Sequence, residues 1–142
     1  MPSRNCPLIY VVEDDADDAY VLSAMFNDYY KEYKVCFMEN GSDLMLRLTH
    51  LLDGRLPNLI LLDLNLPILN GKETLQLLAC DDQFQTIPVA VLSGADQEPV
   101  MHQCFALGAA AFVSKIKSYP QLVQAIGDLM SQCLFSATES PL

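Results

Sequence analysis

Five short apolar runs recur along the chain, each too short to make a helix, and the longer segments between them carry apolar residues at helical spacing. That alternation constrains the fold more than any other feature. The runs at Leu8 to Val12, Lys34 to Met38, Leu59 to Leu62, Pro88 to Leu92 and Ala111 to Val113 read as strands. Leu22, Met25, Phe26 and Tyr29 share one helical face, as do Leu122, Ile126, Leu129, Met130 and Cys133. Ser42 is the expected cap of a helix running to about Leu52, with Gly54 beyond its end. Gly71 opens a helix to about Cys80, and another spans Glu98 to Leu107, closed by Gly108. Strands alternating with helices predict an α/β fold with a five-stranded parallel sheet and five helices on its two faces, because parallel neighbours need crossovers of this length. The first and third runs lack alternation, as strands covered on both faces do.

Three of these runs end in charge. Val11-Val12 meets Glu13-Asp14, Leu59 to Leu62 meets Asp63, and Phe112-Val113 leads through Ser114 to Lys115. Ligands of an open parallel sheet bind beyond the carboxyl ends of its strands, so these groups are expected at one rim. Carboxylates crowded there disfavour one another's ionisation unless a cation is present. With no His or Cys close to them in sequence, the donor set is hard and all oxygen, which suits Mg2+. The plainer reading makes Glu13 and Asp14 helix caps and Asp63 a turn cap. Asp15, Asp17 and Asp18 are read as a solvated helix start, where acids favour the positive end of the helix dipole.

Two stretches that follow strand ends add chemistry. Asp63-Leu64-Asn65-Leu66-Pro67 followed by Asn70-Gly71 reads as a carboxylate, an exposed turn braced by Pro67, and a glycine at which a helix begins. Ser93-Gly94-Ala95 places a hydroxyl at the rim beside a residue with no side chain, which leaves room for a ligand. Lys117 competes with Lys115 for the cationic role. Lys115 is preferred because it comes directly after the strand.

Taken in order, Val12-Glu13-Asp14, Asp63, Leu66-Pro67, Asn70-Gly71, Ser93-Gly94 and Lys115 resemble the receiver domain of two-component response regulators, over essentially the whole chain. The resemblance implies a flavodoxin-like, doubly wound sheet of strand order 2-1-3-4-5. It implies that Asp63 accepts a phosphoryl group from a histidine kinase or phosphotransfer protein. Asp14, Asp63 and the backbone carbonyl of Asn65, with Glu13 acting through water, would hold Mg2+. Ser93 would bond the phosphoryl group and Lys115 would pair with its charge. Phe112 takes the family's aromatic switch position, with plain core packing the other reading. The face of the fourth helix, fifth strand and fifth helix, here with Met101, His102, Tyr119 and Gln121, would meet a downstream protein target and leaves room for a homodimer. The chain departs from the family where Ile116, not proline, follows Lys115, and a trans bond is predicted there. Ala95 is small enough to leave a water path open.

Length and charge narrow the rest. At 142 residues the chain is expected to be one receiver domain over 1–142, with a core of about 7–133, a flexible tail at 134–142 and no output domain. A formal charge of -10 opposes direct contact with nucleic acid or anionic membrane. No run approaches membrane-spanning length, and the apolar stretch after Arg4 is too short for a signal peptide. Five cysteines without metal-binding spacing predict reduced thiols, mostly in the core, and a cytoplasmic protein. The expected protein is a signalling switch that at most catalyses its own phosphorylation and dephosphorylation. A phosphorylation-independent interaction module of the same fold is the alternative. An aspartate-nucleophile hydrolase is disfavoured, because such enzymes need a second acid where Asn65 stands.

Overall fold

The computed structural model describes residues 6–66, 68–94, 98–115 and 118–135. Pro67, Ala95, Ile116, Lys117 and most of the predicted tail, 136–142, lie outside the described residues, and with them the expectations placed on those positions. In chain order the elements are β1 (Leu8–Val12), α1 (Ala16–Tyr29), β2 (Lys34–Met38), α2 (Gly41–Thr49), β3 (Leu59–Asp63), α3 (Gly71–Ala79), β4 (Val89–Ser93), α4 (Glu98–Ala106), β5 (Ala111–Ser114) and α5 (Tyr119–Met130). A short π-helical turn, Ser131–Phe135, extends α5. The strands pair in parallel in the order β2-β1-β3-β4-β5, as the α/β reading requires.

Side-chain alternation sorts the apolar strands into two cores. Tyr10, Val12, Ile60, Leu62 and Val91 point to one face, where Leu44 and Leu48 of α2, Leu75 and Leu78 of α3 and Cys104 of α4 cover them. Ile9, Val11, Leu59, Leu61, Leu92 and Val113 point to the other, beneath Leu22, Met25 and Phe26 of α1 and Leu122, Ile126 and Leu129 of α5. Every residue of β1, β3 and β4 is buried, which accounts for their unbroken apolar character.

The same parity continues to the strand ends. Residues 9, 11 and 13, residues 59, 61 and 63, and residues 113 and 115 fall on the α1/α5 side, so Glu13, Asp63 and Lys115 emerge on one face.

Several expectations need correction. Asn40, not Ser42, caps α2, because its side-chain oxygen accepts the Asp43 amide. That helix stops at Thr49 rather than Leu52, where Leu51 takes φ 48 and turns the chain. Tyr29 is 57% exposed, since the buried stripe of α1 ends at Phe26. The next residue, Tyr30, packs against the core and donates its hydroxyl to the Val123 carbonyl at 3.0 Å. Of the five cysteines only Cys104 is buried, and Cys80 is exposed. Leu134 is buried against α5's core, so helical structure continues past the predicted boundary at 133.

Candidate functional site

Strand ends deliver the site. Asp63 and Ser93 are the last residues of β3 and β4, and both are buried. Glu13 follows β1 and is also buried, while Asp14 beside it is exposed. Lys115 follows β5, with its amide bonded to the Ser93 carbonyl at 2.8 Å as though the ladder ran one rung further.

Three carboxylates face the Lys115 ammonium. Glu13 Oε1 lies 2.9 Å from its Nζ, Asp18 Oδ2 2.8 Å and Asp63 Oδ2 3.4 Å. Burial by itself lowers the ammonium's pKa, but the bonds to Asp18 and Glu13 and the nearby Asp63 charge outweigh it and hold the pKa above its ordinary value. Glu13 moves the other way for an acid. Burial pushes its carboxyl up to about 7, and its contact with Asp63 adds to the shift while Lys115 opposes it. One lysine does not neutralise this cluster.

Oxygens of Glu13, Asp14 and Asp63 lie within 4.8 Å of one another. Such an all-oxygen donor set with a carboxylate excess fits a hard divalent cation and not a soft metal. The loop after Asp63 is tied back onto the site: the Asn65 amide donates to Asp63 Oδ1 at 3.1 Å, and the Gly71 amide donates to the Leu64 carbonyl at 3.0 Å. Gly71 is required for that closure, since a Cβ there would meet the Leu64 Cα at 2.5 Å and the Asp63 carbonyl oxygen at 2.6 Å. Its helix is sealed by a capping box between Asn70 and Glu73.

Above these groups lies an open cavity of about 420 Å³ lined by Asp14, Asp15, Asp18, Asp63, Asn65, Gly94 and Lys115. Among the described residues, nothing lies within 4 Å of where a Cβ on Gly94 would stand. An adjoining cavity of about 540 Å³ extends past Asn65, Ser93 and Lys72. Together they offer room for a phosphoryl group and a hydrated ion.

All six residues singled out from the sequence, Glu13, Asp14, Asp63, Asn65, Ser93 and Lys115, therefore come to one rim. The helix-cap reading of Asp14 fails, because Asp15 caps α1 and accepts the amides of Asp17 and Asp18. Sequence reasoning misses Asp18, which fits a solvated helix start by pattern and instead bonds Lys115. The one available signal was an acid one turn past the strand-end pair. Phe112 is half-buried and packs against the α2/α3/α4 core.

Residues 9–127 match the response regulator receiver domain. The chain belongs to that family. As a receiver it resembles response regulator Rcp1 of Synechocystis, with 25% identity over 134 residues, covering 92% of this chain and 91% of Rcp1. The hybrid signal transduction histidine kinase D of Dictyostelium discoideum is 26% identical over 90% of this chain. This chain spans only 8% of that kinase and 29% of a matching protein-glutamate methylesterase of Bacillus licheniformis, so in both the likeness covers a small part of a longer protein. Among solved structures, the phosphorylated cyanobacterial phytochrome response regulator RcpA superposes with a TM-score of 0.82 at 27% identity, covering 92% of this chain and 96% of RcpA. The Mn2+-bound form of Rcp1 gives a TM-score of 0.77 at 25% identity, covering 88% of this chain and 92% of Rcp1. Receiver domains are signalling modules and not enzymes in the usual sense; they take phosphoryl groups from histidine kinases. Among the described residues, no helix of this receiver is long and apolar enough to cross a membrane.

Proposed function

We propose that this receiver is a phosphoacceptor of two-component signalling, with Asp63 as the residue modified. One observation carries the reading: Asp63 is buried at a strand end, within 4.8 Å of two further carboxylates and 3.4 Å from an ammonium. Phosphoryl transfer asks mainly for positioning and for stabilisation of charge on the equatorial oxygens. An oxygen of Asp63 attacks the phosphorus of a phosphohistidine. The new O–P bond forms as the N–P bond breaks, and the imidazole nitrogen leaves with the electron pair and is protonated from solvent.

The residues present fit a divalent cation. Asp14, Asp63 and the Asn65 carbonyl, with Glu13 through water, would hold Mg2+. When bound, the ion offsets the charge of the carboxylates and of the transferred oxygens. Asn65, by its amide, fixes the orientation of Asp63, leaving Oδ2 toward Lys115 and the cavity. Lys115 supplies a compact point charge to a phosphoryl oxygen, and Ser93 offers a hydroxyl from the neighbouring strand.

A phosphoryl group binds this site better in a conformation that closes Ser93 and Lys115 around it, and that difference biases the molecule between two states. The face of α4, β5 and α5 carries Met101, His102, Tyr119 and Gln121 toward a downstream protein or a second copy of the chain. The phosphodonor is a histidine kinase or phosphotransfer protein, and the protein acts in the cytoplasm.

Incubation with Mg2+ and acetyl phosphate, read by intact mass, tests the reading. Wild type gains one phosphoryl group, and Asp63→Asn gains none. No gain in wild type, or an equal gain in Asp63→Asn, overturns it.

A further inference from the structure

One of the acids that grip Lys115 has no part in the phosphoacceptor chemistry described so far. Its ammonium has three hydrogens to donate and meets three carboxylates. Glu13 and Asp63 belong to the oxygen cluster suited to a cation, and Asp18 does not. Asp18 nonetheless makes the shortest of the three contacts, at 2.8 Å, and its side chain is 42% exposed while those of Glu13 and Asp63 are 0% and 2% exposed. It therefore lies on the solvent side of the ammonium.

Both ends of this contact are planted. Asp18 sits in the first turn of α1, where the Asp15 carboxylate accepts the amides of Asp17 at 2.8 Å and Asp18 at 3.0 Å. Lys115 is fixed at its backbone by the Ser93 carbonyl. Between that backbone and the ammonium runs a flexible four-carbon stem, whose rotamer freedom must be lost for the charge to stay in one place. Glu13 and Asp63 also restrain it, but a cation that draws on their charge weakens their hold on the ammonium. Asp18 keeps its full charge for Lys115 in that state.

We infer that Asp18 is a positioning residue: it holds the Lys115 ammonium beside Asp63 Oδ2, where a phosphoryl oxygen would meet it. This inference rests on the reading of Asp63 as phosphoacceptor. The competing account makes Asp18 only one more negative charge at the rim. The two differ in sign, since loss of a mere charge relieves repulsion of an incoming anion and strengthens its binding.

Beryllofluoride, which stands in for the phosphoryl group, is titrated calorimetrically in saturating Mg2+ against the full chain. Asp18→Asn is expected to weaken binding about tenfold. Asp17→Asn removes the same charge from the neighbouring position and leaves the affinity within about twofold. In a Lys115→Ala background, Asp18→Asn has no further weakening effect, because its partner is gone. Unchanged or tighter binding by Asp18→Asn overturns the inference, as does an equal loss with and without Lys115. A fold defect in Asp18→Asn is separated from a positioning loss by Asp18→Ser, which keeps a side chain compatible with the first turn and is expected to lose the same affinity. A wild type that fails to bind beryllofluoride overturns the phosphoacceptor reading and this inference with it. Binding by wild type with no loss in either Asp18 variant overturns the inference alone.

Discussion

Two clusters of charge are built into this receiver, and they are balanced in opposite ways. On the α2 side, Asp53 accepts from Arg47 Nε at 2.8 Å and Nη2 at 3.3 Å, takes the Tyr10 hydroxyl, and has Lys34 at 3.9 Å. Two cations and a hydroxyl serve one carboxylate, and the Arg47 guanidinium also lies 5.8 Å above the Tyr10 ring. The Arg47 bond outweighs burial and lowers the Asp53 pKa to about 2. At the strand ends, by contrast, Glu13, Asp18 and Asp63 share the Lys115 ammonium, Asp14 lies beside two of them, and Glu13 is pushed up to about 7. A satisfied cluster stiffens a fold. An unsatisfied one costs stability until a cation or a phosphoryl group changes its charge.

Exchanging the central acid of each cluster should separate these roles most sharply. Asp63→Asn is expected to abolish phosphoryl uptake by intact mass while leaving the thermal midpoint equal or higher, because it removes an acid from an acid-rich site. Asp53→Asn is expected to lower stability by about 2 to 3 kcal/mol in denaturant titration and to retain phosphoryl uptake. An active Asp63→Asn, or an inactive but folded Asp53→Asn, would erase the distinction.

Lys115→Ala sharpens the comparison from the cationic side. Removing this positive charge should raise Mg2+ affinity by about tenfold, while beryllofluoride binding falls by about a hundredfold. Parallel losses of both ligands would instead mean that the lysine supports the fold of the site.

Acidity gives the smallest and most discriminating test. Asp53 has a folded pKa below its unfolded value, so its contribution is present above about pH 4 and is lost as pH falls toward about 2, on the order of 2 kcal/mol in all. Glu13 has a raised folded pKa, so in the absence of a cation the folded state binds the extra proton and stability declines as pH rises from about 4.5 through 7. Apparent Mg2+ affinity should fall as pH drops through about 7, because protonation withdraws a carboxylate. Chemical denaturation between about pH 2 and 4 reads the Asp53 slope, and between about pH 5 and 8, with and without Mg2+, the Glu13 slope. Slopes of the same sign would contradict the opposed balance of the two clusters.

Much of the site was legible because apolar runs announce where buried strands end. Glu13, Asp63, Ser93 and Lys115 were recognisable as rim residues on that ground, and the sheet parity that puts 13, 63 and 115 on one face follows from the period of two. Local signals were less secure. Ser42 fits a cap by residue type, although Asn40, two residues earlier, has the side chain that reaches the Asp43 amide. Tyr29 fits the helical stripe but lies beyond the part of α1 that the sheet covers, and no periodicity reveals where a helix overhangs its support.

The order of apolar runs, turn residues and terminal charges was enough to determine the parallel α/β sheet and the cluster at its rim, because burial of strands and side-chain alternation are local consequences of sequence. Tertiary structure alone decided which acids serve Lys115. Asp18 is 97 positions away from it in the chain, and the contact exists only because α1 packs over the same sheet face from which Lys115 emerges.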